Sequence, residues 1–104
     1  MLAKRQFAVG ADQDKKHLKN TSITAFKANL GHLNLASGAT EVALSIMSMI
    51  DSVVPPVANL EEPVQPELNF SMTKPTHKKV NKAMKLAVGF GGNNAAIAFE
   101  KWQQ

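Results

Sequence analysis

The stretch Lys27-Ala-Asn-Leu-Gly-His-Leu-Asn-Leu-Ala-Ser-Gly-Ala-Thr-Glu41 organises the chain. It places a lysine, a histidine and a glutamate within a segment that is otherwise almost free of charge. Residues 23–26 before it have the β-branched and aromatic content of a short strand. The apolar residues after it repeat at helical spacing: Leu35, Ala39, Val42, Ile46 and Met49. This pattern predicts a strand, a turn containing Gly31, and a long helix from about Leu33 to Ile50.

His32 falls at or near the predicted N-terminus of this helix. The free N–H groups and the helix dipole at that end disfavour imidazolium, so a neutral ring could donate a hydrogen bond to developing negative charge. Glu41 lies further along, close to the apolar interior, and Lys27 is its obvious partner because an unpaired buried charge is costly. Taken alone, Gly-His before a helix is more often a cap or a turn than a functional site, and both interpretations stay open.

Three segments carry a resemblance to one family. Residues 27–41 resemble the Lys-x-x-x-Gly-His-x-x-x-Ala-(Ala/Ser)-Gly-Ala-x-Glu segment of the β-ketoacyl synthases, which are thiolase-fold condensing enzymes of fatty-acid and polyketide synthesis. Residues 88–94, Val-Gly-Phe-Gly-Gly-Asn-Asn, are similar to that family's Phe-Gly-Phe-Gly-Gly-Thr-Asn loop. Residues 53–60 are similar to its Val-Pro-Pro-Thr-x-Asn-Leu connection. The segments follow the family's order and represent only the C-terminal part of a member.

The resemblance implies an α/β fold, a C-terminal fragment of a thiolase-like fold with a strand, a buried helix, a long loop and a C-terminal β-hairpin. Burial of the helix also follows from its apolar residues, which lie on more than one face. Residues 1–20 read as a polar leader without resemblance, and residues 21–104 as a partial β-ketoacyl synthase C-terminal domain. Between residues 51 and 75 we expect a surface loop with one short strand at residues 68–70.

The expected site residues come from the same resemblance. His32 matches the second of two neutral histidines that hydrogen-bond the malonyl thioester carbonyl. Lys27 matches a lysine that supports the site electrostatically, and Glu41 a carboxylate near it. Phe90 matches a mobile phenylalanine that gates the acyl pocket, with Gly91 and Gly92 supplying freedom to move. Nothing in the chain is expected to take a metal or an organic cofactor.

The C-terminal segment reads as a hairpin from residue types alone. Its arms are residues 84–88 and 95–99, and the Gly-Gly-Asn-Asn sequence between them is strong turn chemistry. The loop departs from the family pattern at four positions, where phenylalanine, asparagine, serine and threonine are commoner: Val88, Leu86, Ala87 and Asn93.

The nucleophile of the family is missing from this chain. It contains no cysteine, and His17 lacks the neighbours of the family's first histidine. Covalent catalysis needs its nucleophile. We therefore expect the C-terminal part of a synthase that condenses malonyl-carrier-protein with an acyl thioester in fatty-acid biosynthesis, inactive as this chain alone. The alternatives are a non-catalytic interaction remnant and a ketosynthase fragment of a polyketide synthase.

Composition bounds the remaining possibilities. The chain has 104 residues, 44% apolar content and a net charge of +4, which is typical of at most one globular domain. Its longest apolar run is interrupted by polar residues, so no membrane span is expected. A basic cluster lacks the interleaved aromatics of a nucleic-acid site and is expected to be a solvated face: His77, Lys78, Lys79, Lys82 and Lys85.

Expected partners and location follow from the resemblance. The partners are the acyl carrier protein with its acyl and malonyl thioesters, the remainder of the synthase, and a homodimer partner in a full-length enzyme. Nucleic acid is not an expected partner. The expected location is intracellular: the cytoplasm in a bacterium, or the mitochondrion or plastid in a eukaryote.

Overall fold

The computed structural model describes Leu18 and residues 20–103, so the polar leader predicted for residues 1–20 lies almost wholly outside the described part. Helix α1 spans Lys27–Leu30, a 3₁₀ turn spans Asn34–Ala36, and helix α2 spans Ser37–Asp51. The strands are β1 (Val53–Val54), β2 (Thr76–His77), β3 (Lys82–Val88) and β4 (Asn94–Glu100).

The chain divides into two compact units. The first contains the described residues up to His32 and residues 54–76, and the second contains residues 33–53 and the residues from His77 onward. Strand β1 pairs with β2, and β3 pairs with β4. No helix of the described residues is long and apolar enough to cross a bilayer.

The first unit has a single β-bridge where we predicted a strand at residues 23–26 and another at residues 68–70. Ile23 bridges Phe70 in parallel, with its N–H donating to the Asn69 carbonyl at 2.9 Å and its own carbonyl accepting from the Ser71 N–H at 2.9 Å. Phe26 already has αR backbone angles as the N-cap of α1, so the extended segment ends before it can lengthen. The two strand predictions were therefore wrong in length.

The irregular segment 55–75 supplies much of the first unit's core, although we predicted a surface loop. Three of its apolar side chains are buried, together with Phe26 and Val54 from its flanks: Val57, Leu60 and Leu68. Ser71 is 2% exposed, and its hydroxyl donates to the Val54 carbonyl at 3.1 Å and lies 3.1 Å from the Thr76 hydroxyl. Apolar residues spaced between prolines can thus face inward without forming a periodic element.

The second unit packs α2 against a hairpin. Helix α2 begins at Ser37, later than predicted, and the Ser37 hydroxyl accepts a hydrogen bond from the Leu33 N–H at 3.1 Å. It ends with Ser52 in the left-handed conformation (φ 56°), where the Ser52 N–H bonds the Ser48 carbonyl. The Lys101 ammonium donates to the Met49 carbonyl at 3.1 Å, which satisfies another acceptor of the last turn.

The hairpin has the predicted form. Strands β3 and β4 are antiparallel, in a register that pairs Lys82 with Glu100 at the open end and Val88 with Asn94 at the turn.

Along α2 the buried residues are Glu41 and Met49, while the side chains of three apolar residues are exposed: Ile46, Met47 and Ile50. The prediction of a helix buried on several sides was therefore wrong for the described part of the chain, because the hairpin covers one side of α2 and leaves these residues open.

Candidate functional site

Lys27 and His32 flank a tight turn in the first unit. Lys27 is the first residue of α1 and half-buried, and its carbonyl accepts the Gly31 N–H at 2.8 Å. Gly31 has φ +83°, a conformation that side-chain-bearing residues rarely adopt, so glycine is what lets the chain leave α1 here. His32 follows this turn directly and is exposed.

His32 lies close to the N-terminal end of the helical segment but not within it. The 3₁₀ turn begins at Asn34 and α2 only at Ser37, so His32 precedes the helix rather than occupying its first turn. The N-cap of α2 is Ala36, which makes no side-chain capping bond. The effect of a helix terminus decays within about one turn. We predicted His32 at or near the helix N-terminus, and it lies near that end but outside the first turn, because Leu33 and the 3₁₀ turn separate it from α2.

Glu41 is buried in the second turn of α2, as an apolar helix led us to expect. Its side chain is 9% exposed, and its Oε2 atom lies 2.5 Å from the ammonium of Lys85, whose side chain is 16% exposed. The Ser45 hydroxyl bonds the Glu41 main-chain carbonyl at 2.7 Å. The carboxylate thus has a close cationic partner in the neighbouring strand, which offsets the desolvation of both charges.

Lys85 is a site residue that the motifs in the sequence did not identify. We expected it on a solvated basic face, whereas it is half-buried and paired with Glu41. The strand pattern could have indicated that Lys85 is directed toward the helix. Ala83 and Ala87 flank it on the same face of β3, and these small residues leave room for a long side chain. The pairing of Glu41 with Lys27 stays a prediction.

The Phe90 loop closes the hairpin. Gly91 and Gly92 both have φ +80°, the Gly89 N–H donates to the Asn93 carbonyl at 2.7 Å, and the Asn93 amide donates to the Phe90 carbonyl at 3.1 Å. These bonds hold the main chain of the turn, while the Phe90 ring is fully exposed. The loop therefore presents an aromatic side chain on a braced, glycine-containing turn.

The expected site residues are distributed over both units. Lys27 and His32 belong to the first unit, and Glu41 and the loop from Phe90 to Gly92 belong to the second. Within the second unit, the structure brings Glu41 together with Lys85. Among the described residues, no group of three or more His, Cys, Asp or Glu side chains could hold a metal ion.

Comparison with known proteins identifies the family. The β-ketoacyl synthase C-terminal domain matches residues 6–61, which is more than half of the chain. The match begins inside the segment that we described as a leader without resemblance.

Individual relatives extend this match. The chain is 32% identical over 85 residues to 3-oxoacyl-[acyl-carrier-protein] synthase 2 of Vibrio harveyi, covering 80% of this chain and 20% of the relative. It is 34% identical over 89 residues to the synthase of the same name from Synechocystis, covering 84% and 21%. It is 36% identical over 87 residues to nodulation protein E of Rhizobium meliloti, covering 82% and 21%.

These alignments cover most of the chain, so they extend beyond the residues that match the domain. The chain spans about a fifth of the length of these curated relatives. Membership implies a thiolase-like α/β fold class, and the helix and small sheets of the structure are consistent with it. The chain belongs to the β-ketoacyl synthase family, and its sequence corresponds to the C-terminal domain of that family.

Proposed function

We propose that this chain provides the C-terminal part of a β-ketoacyl-(acyl-carrier-protein) synthase that condenses malonyl-carrier-protein with an acyl thioester in fatty-acid biosynthesis. The observation that carries this proposal is the match to the family's C-terminal domain together with relatives named 3-oxoacyl-[acyl-carrier-protein] synthase 2. Acyl carrier protein is the corresponding partner. The corresponding location is the bacterial cytoplasm, or a mitochondrion or plastid.

His32 has the central role in this proposal. Its ring donates a hydrogen bond to the thioester carbonyl of the malonyl group, which stabilises the enolate-like charge formed as carbon dioxide leaves. Exposure of His32 beside the Gly31 turn supports this role, since a donor must be reachable by substrate. The enolate carbon then attacks the carbonyl carbon of an acyl thioester, and the C–S bond breaks to release the cysteine thiolate. That cysteine must come from outside these residues, because this chain has none.

Glu41, Lys27 and the Phe90 loop have supporting roles. The charge of Lys27 contributes to the electrostatic environment of His32 within the first unit, and Lys85 is the close cationic partner of the Glu41 carboxylate within the second unit. Phe90 borders the acyl pocket, and Gly91 and Gly92, which have no Cβ atom, allow its loop to change conformation.

The purified chain alone is expected to form no β-ketoacyl product from acyl- and malonyl-carrier-protein, because it lacks a cysteine nucleophile. Mass spectrometry of the carrier-protein products measures this directly. A carbon–carbon bond formed by the chain alone would contradict the proposal.

The role of His32 is tested in a hybrid synthase in which residues 21–104 replace the corresponding segment of the Vibrio harveyi relative. His32→Ala is expected to lower the condensation rate of the hybrid by roughly a hundredfold, the typical effect of losing one such hydrogen-bond donor. His77→Ala is the matched control, since His77 is also exposed and lies in β2, and it should leave the rate within about twofold. An equal loss of condensation rate in the two variants would show that His32 has no specific role in the mechanism.

A second candidate function is a non-catalytic interaction module. The specific observation in its favour is the exposed apolar side of α2, with Ile46, Met47 and Ile50 uncovered. Exposed apolar patches on small proteins mark partner surfaces. Capture of acyl carrier protein by the hybrid, without any activity above background, would favour this candidate over the synthase.

A further inference from the structure

The side chain of Asn93 spans the turn of the hairpin. Asn93 follows the 3₁₀ turn Phe90–Gly92 and directly precedes strand β4. Its side-chain amide nitrogen lies 3.1 Å from the carbonyl oxygen of Phe90. A carbonyl oxygen only accepts hydrogen bonds, so the nitrogen end of the amide must face it. Asn93 therefore donates a hydrogen bond to the main chain of the residue whose aromatic ring is fully exposed.

Asn93 also closes the turn through its main chain. Its carbonyl accepts the Gly89 N–H at 2.7 Å, one step beyond the last strand pair, Val88 with Asn94. A Cβ atom added at Gly89 would lie only 3.2 Å from this carbonyl oxygen, so the two ends of the turn approach each other closely. One residue therefore bonds the entry of the turn with its main chain and the tip with its side chain.

The side-chain bond restrains a part of the turn that the glycines leave free. The Phe90 carbonyl belongs to the peptide plane between Phe90 and Gly91, so the bond from Asn93 fixes the orientation of that plane. Gly91 and Gly92 have φ +80° here, but glycine adopts negative φ about as readily. Without a contact to the Phe90 carbonyl, several conformations of the turn are close in free energy. The Asn93 amide favours one of them.

Asn93 is one of the positions at which the turn departs from the family pattern, where threonine is commoner. The threonine hydroxyl is attached directly to Cβ, whereas the amide nitrogen of asparagine is one bond further out, about 1.5 Å. A threonine on the same main chain therefore falls short of the Phe90 carbonyl. The departure adds a hydrogen bond that the commoner residue cannot make in this geometry.

We propose that Asn93 is a positioning residue for Phe90. Its side-chain amide holds the turn in the described conformation, and the main chain at Phe90 reorients only after this hydrogen bond opens. The net effect of one such bond corresponds to roughly a three- to tenfold smaller population of open turns. The consequence for synthesis rests on the proposed function, in which Phe90 borders the acyl pocket: the bond slows entry of the acyl group by the same factor.

Nuclear magnetic resonance of the isotope-labelled 104-residue chain tests this restraint without any activity. The order parameters of the Phe90, Gly91 and Gly92 amides should be about 0.8 in the unsubstituted chain, as in a rigid main chain. Asn93→Asp should lower them below about 0.6, because an ionised carboxylate has the same shape but no hydrogen to donate. Asn93→Thr should cause the same loss, and it provides a second probe if Asn93→Asp fails to fold.

Asn94→Asp is the matched control, because it places the same charge on the next exposed residue and leaves the Asn93 amide in place. Its order parameters should stay within about 0.1 of those of the unsubstituted chain. Values that are already below about 0.6 in the unsubstituted chain, or that do not fall in Asn93→Asp, would overturn the proposal. A loss in both aspartate variants with none in Asn93→Thr would overturn it as well, since the added charge would then be the cause.

The effect on the acyl pocket is tested in the hybrid synthase that carries residues 21–104. In acyl transfer, the cysteine sulfur of the hybrid forms a bond to the acyl carbonyl carbon, and the thiol of the carrier protein leaves. Asn93→Thr should raise the single-turnover rate of this step about three- to tenfold, because the turn opens more often. Decarboxylation of the malonyl group by the acylated hybrid should change by less than about twofold, since His32 is unaltered.

The two tests fail separately. A hybrid without any condensation would contradict the proposed function, while the order parameters still decide whether Asn93 restrains the turn. An unchanged rate of acyl transfer in an Asn93→Thr hybrid that is otherwise active would overturn the effect on the acyl pocket. A decrease of both rates would overturn it too, because it would mean that Asn93 only maintains the fold of the turn.

Discussion

At the scale of single residues, the Glu41–Lys85 pair joins α2 to β3 within the second unit. A carboxylate and an ammonium are both withdrawn from water, at 9% and 16% exposure, and are 2.5 Å apart. Such a pair adds little or no net stability over an apolar pair of similar volume, but removing one member leaves a buried charge without that partner. The pair therefore enforces one alignment of β3 on α2.

Lys85→Met is expected to lower the free energy of unfolding by about 3 kcal/mol, because the Glu41 carboxylate loses its close cation while staying buried. Urea denaturation followed by circular dichroism measures the change. The double variant Glu41→Gln/Lys85→Met should recover at least half of the loss, since neither charge is then buried. Lys79→Met, at an exposed position, is the control and should have little effect. An unaltered midpoint for Lys85→Met would contradict the importance of this pair.

At the scale of elements, two serines of α2 bond back to the main chain of the same helix. The Ser45 and Ser48 hydroxyls bond the main-chain carbonyls of Glu41 and Leu44, at 2.7 Å and 2.9 Å. Hydroxyls that bond back to the preceding turn can be covered by another layer without losing water partners. The helix is therefore chemically suited to burial on more sides than the hairpin covers.

Substitutions at Gly38 and Gly91 test two different effects of glycine, its low helix propensity and its ability to adopt a positive φ. Gly38 lies in the first turn of α2, where an added Cβ would meet nothing within 4 Å, so Gly38→Ala should raise the free energy of unfolding by about 0.5 kcal/mol. Gly91 has φ +80°, so Gly91→Ala should lower it by about 1 kcal/mol. Thermal denaturation of the two variants shows whether each substitution raises or lowers the free energy of unfolding. A loss of stability in Gly38→Ala would mean that another group packs against this glycine.

Patterning of β3 explains why the hairpin leaves an apolar face uncovered. The alternation of Met84, Leu86 and Val88 with smaller and charged residues would by itself predict that the apolar row is directed toward the core. The structure instead directs Lys85 inward, because the ion pair with Glu41 is available only on that side. The alternation of residues along β3 thus decides which face of the hairpin α2 covers and which face stays exposed.

At the scale of the whole molecule, apolar surface is exposed in both units, and the second unit carries it in contiguous rows. Val64 is an isolated exposed residue of the first unit. In the second unit, one row consists of Met84, Leu86 and Val88 on β3, and the other consists of Ile46, Met47 and Ile50 on α2. Single exposed apolar residues are ordinary, while rows of them bind partners or dyes.

The native chain is therefore expected to bind the dye ANS without denaturant. The double variant Met47→Lys/Leu86→Lys should reduce the dye fluorescence by roughly half or more, because it interrupts both rows. Val64→Lys is the matched control and should leave the fluorescence unchanged. Equal fluorescence in all three proteins would show that the dye binds elsewhere.

The amino-acid sequence by itself determined the family, the hairpin and the long helix. Those features depend on local order: a motif is read from consecutive residues, Gly-Gly-Asn-Asn forms a turn wherever it lies, and helical spacing is visible along the chain. It also indicated that Glu41 needs a partner, because a carboxylate in an apolar helix must be compensated.

Tertiary structure decided which groups meet. The selection of Lys85 as a partner of Glu41, the reduction of the strand at Ile23 to one bridge, and the core contributed by residues 55–75 all depend on contacts between segments far apart in the chain. Burial of α2 was overestimated for the same reason, since a helix can be apolar on several sides while the described residues provide a layer for only one. The periodicity of a segment indicates which of its faces can be buried, and tertiary packing determines which element covers that face.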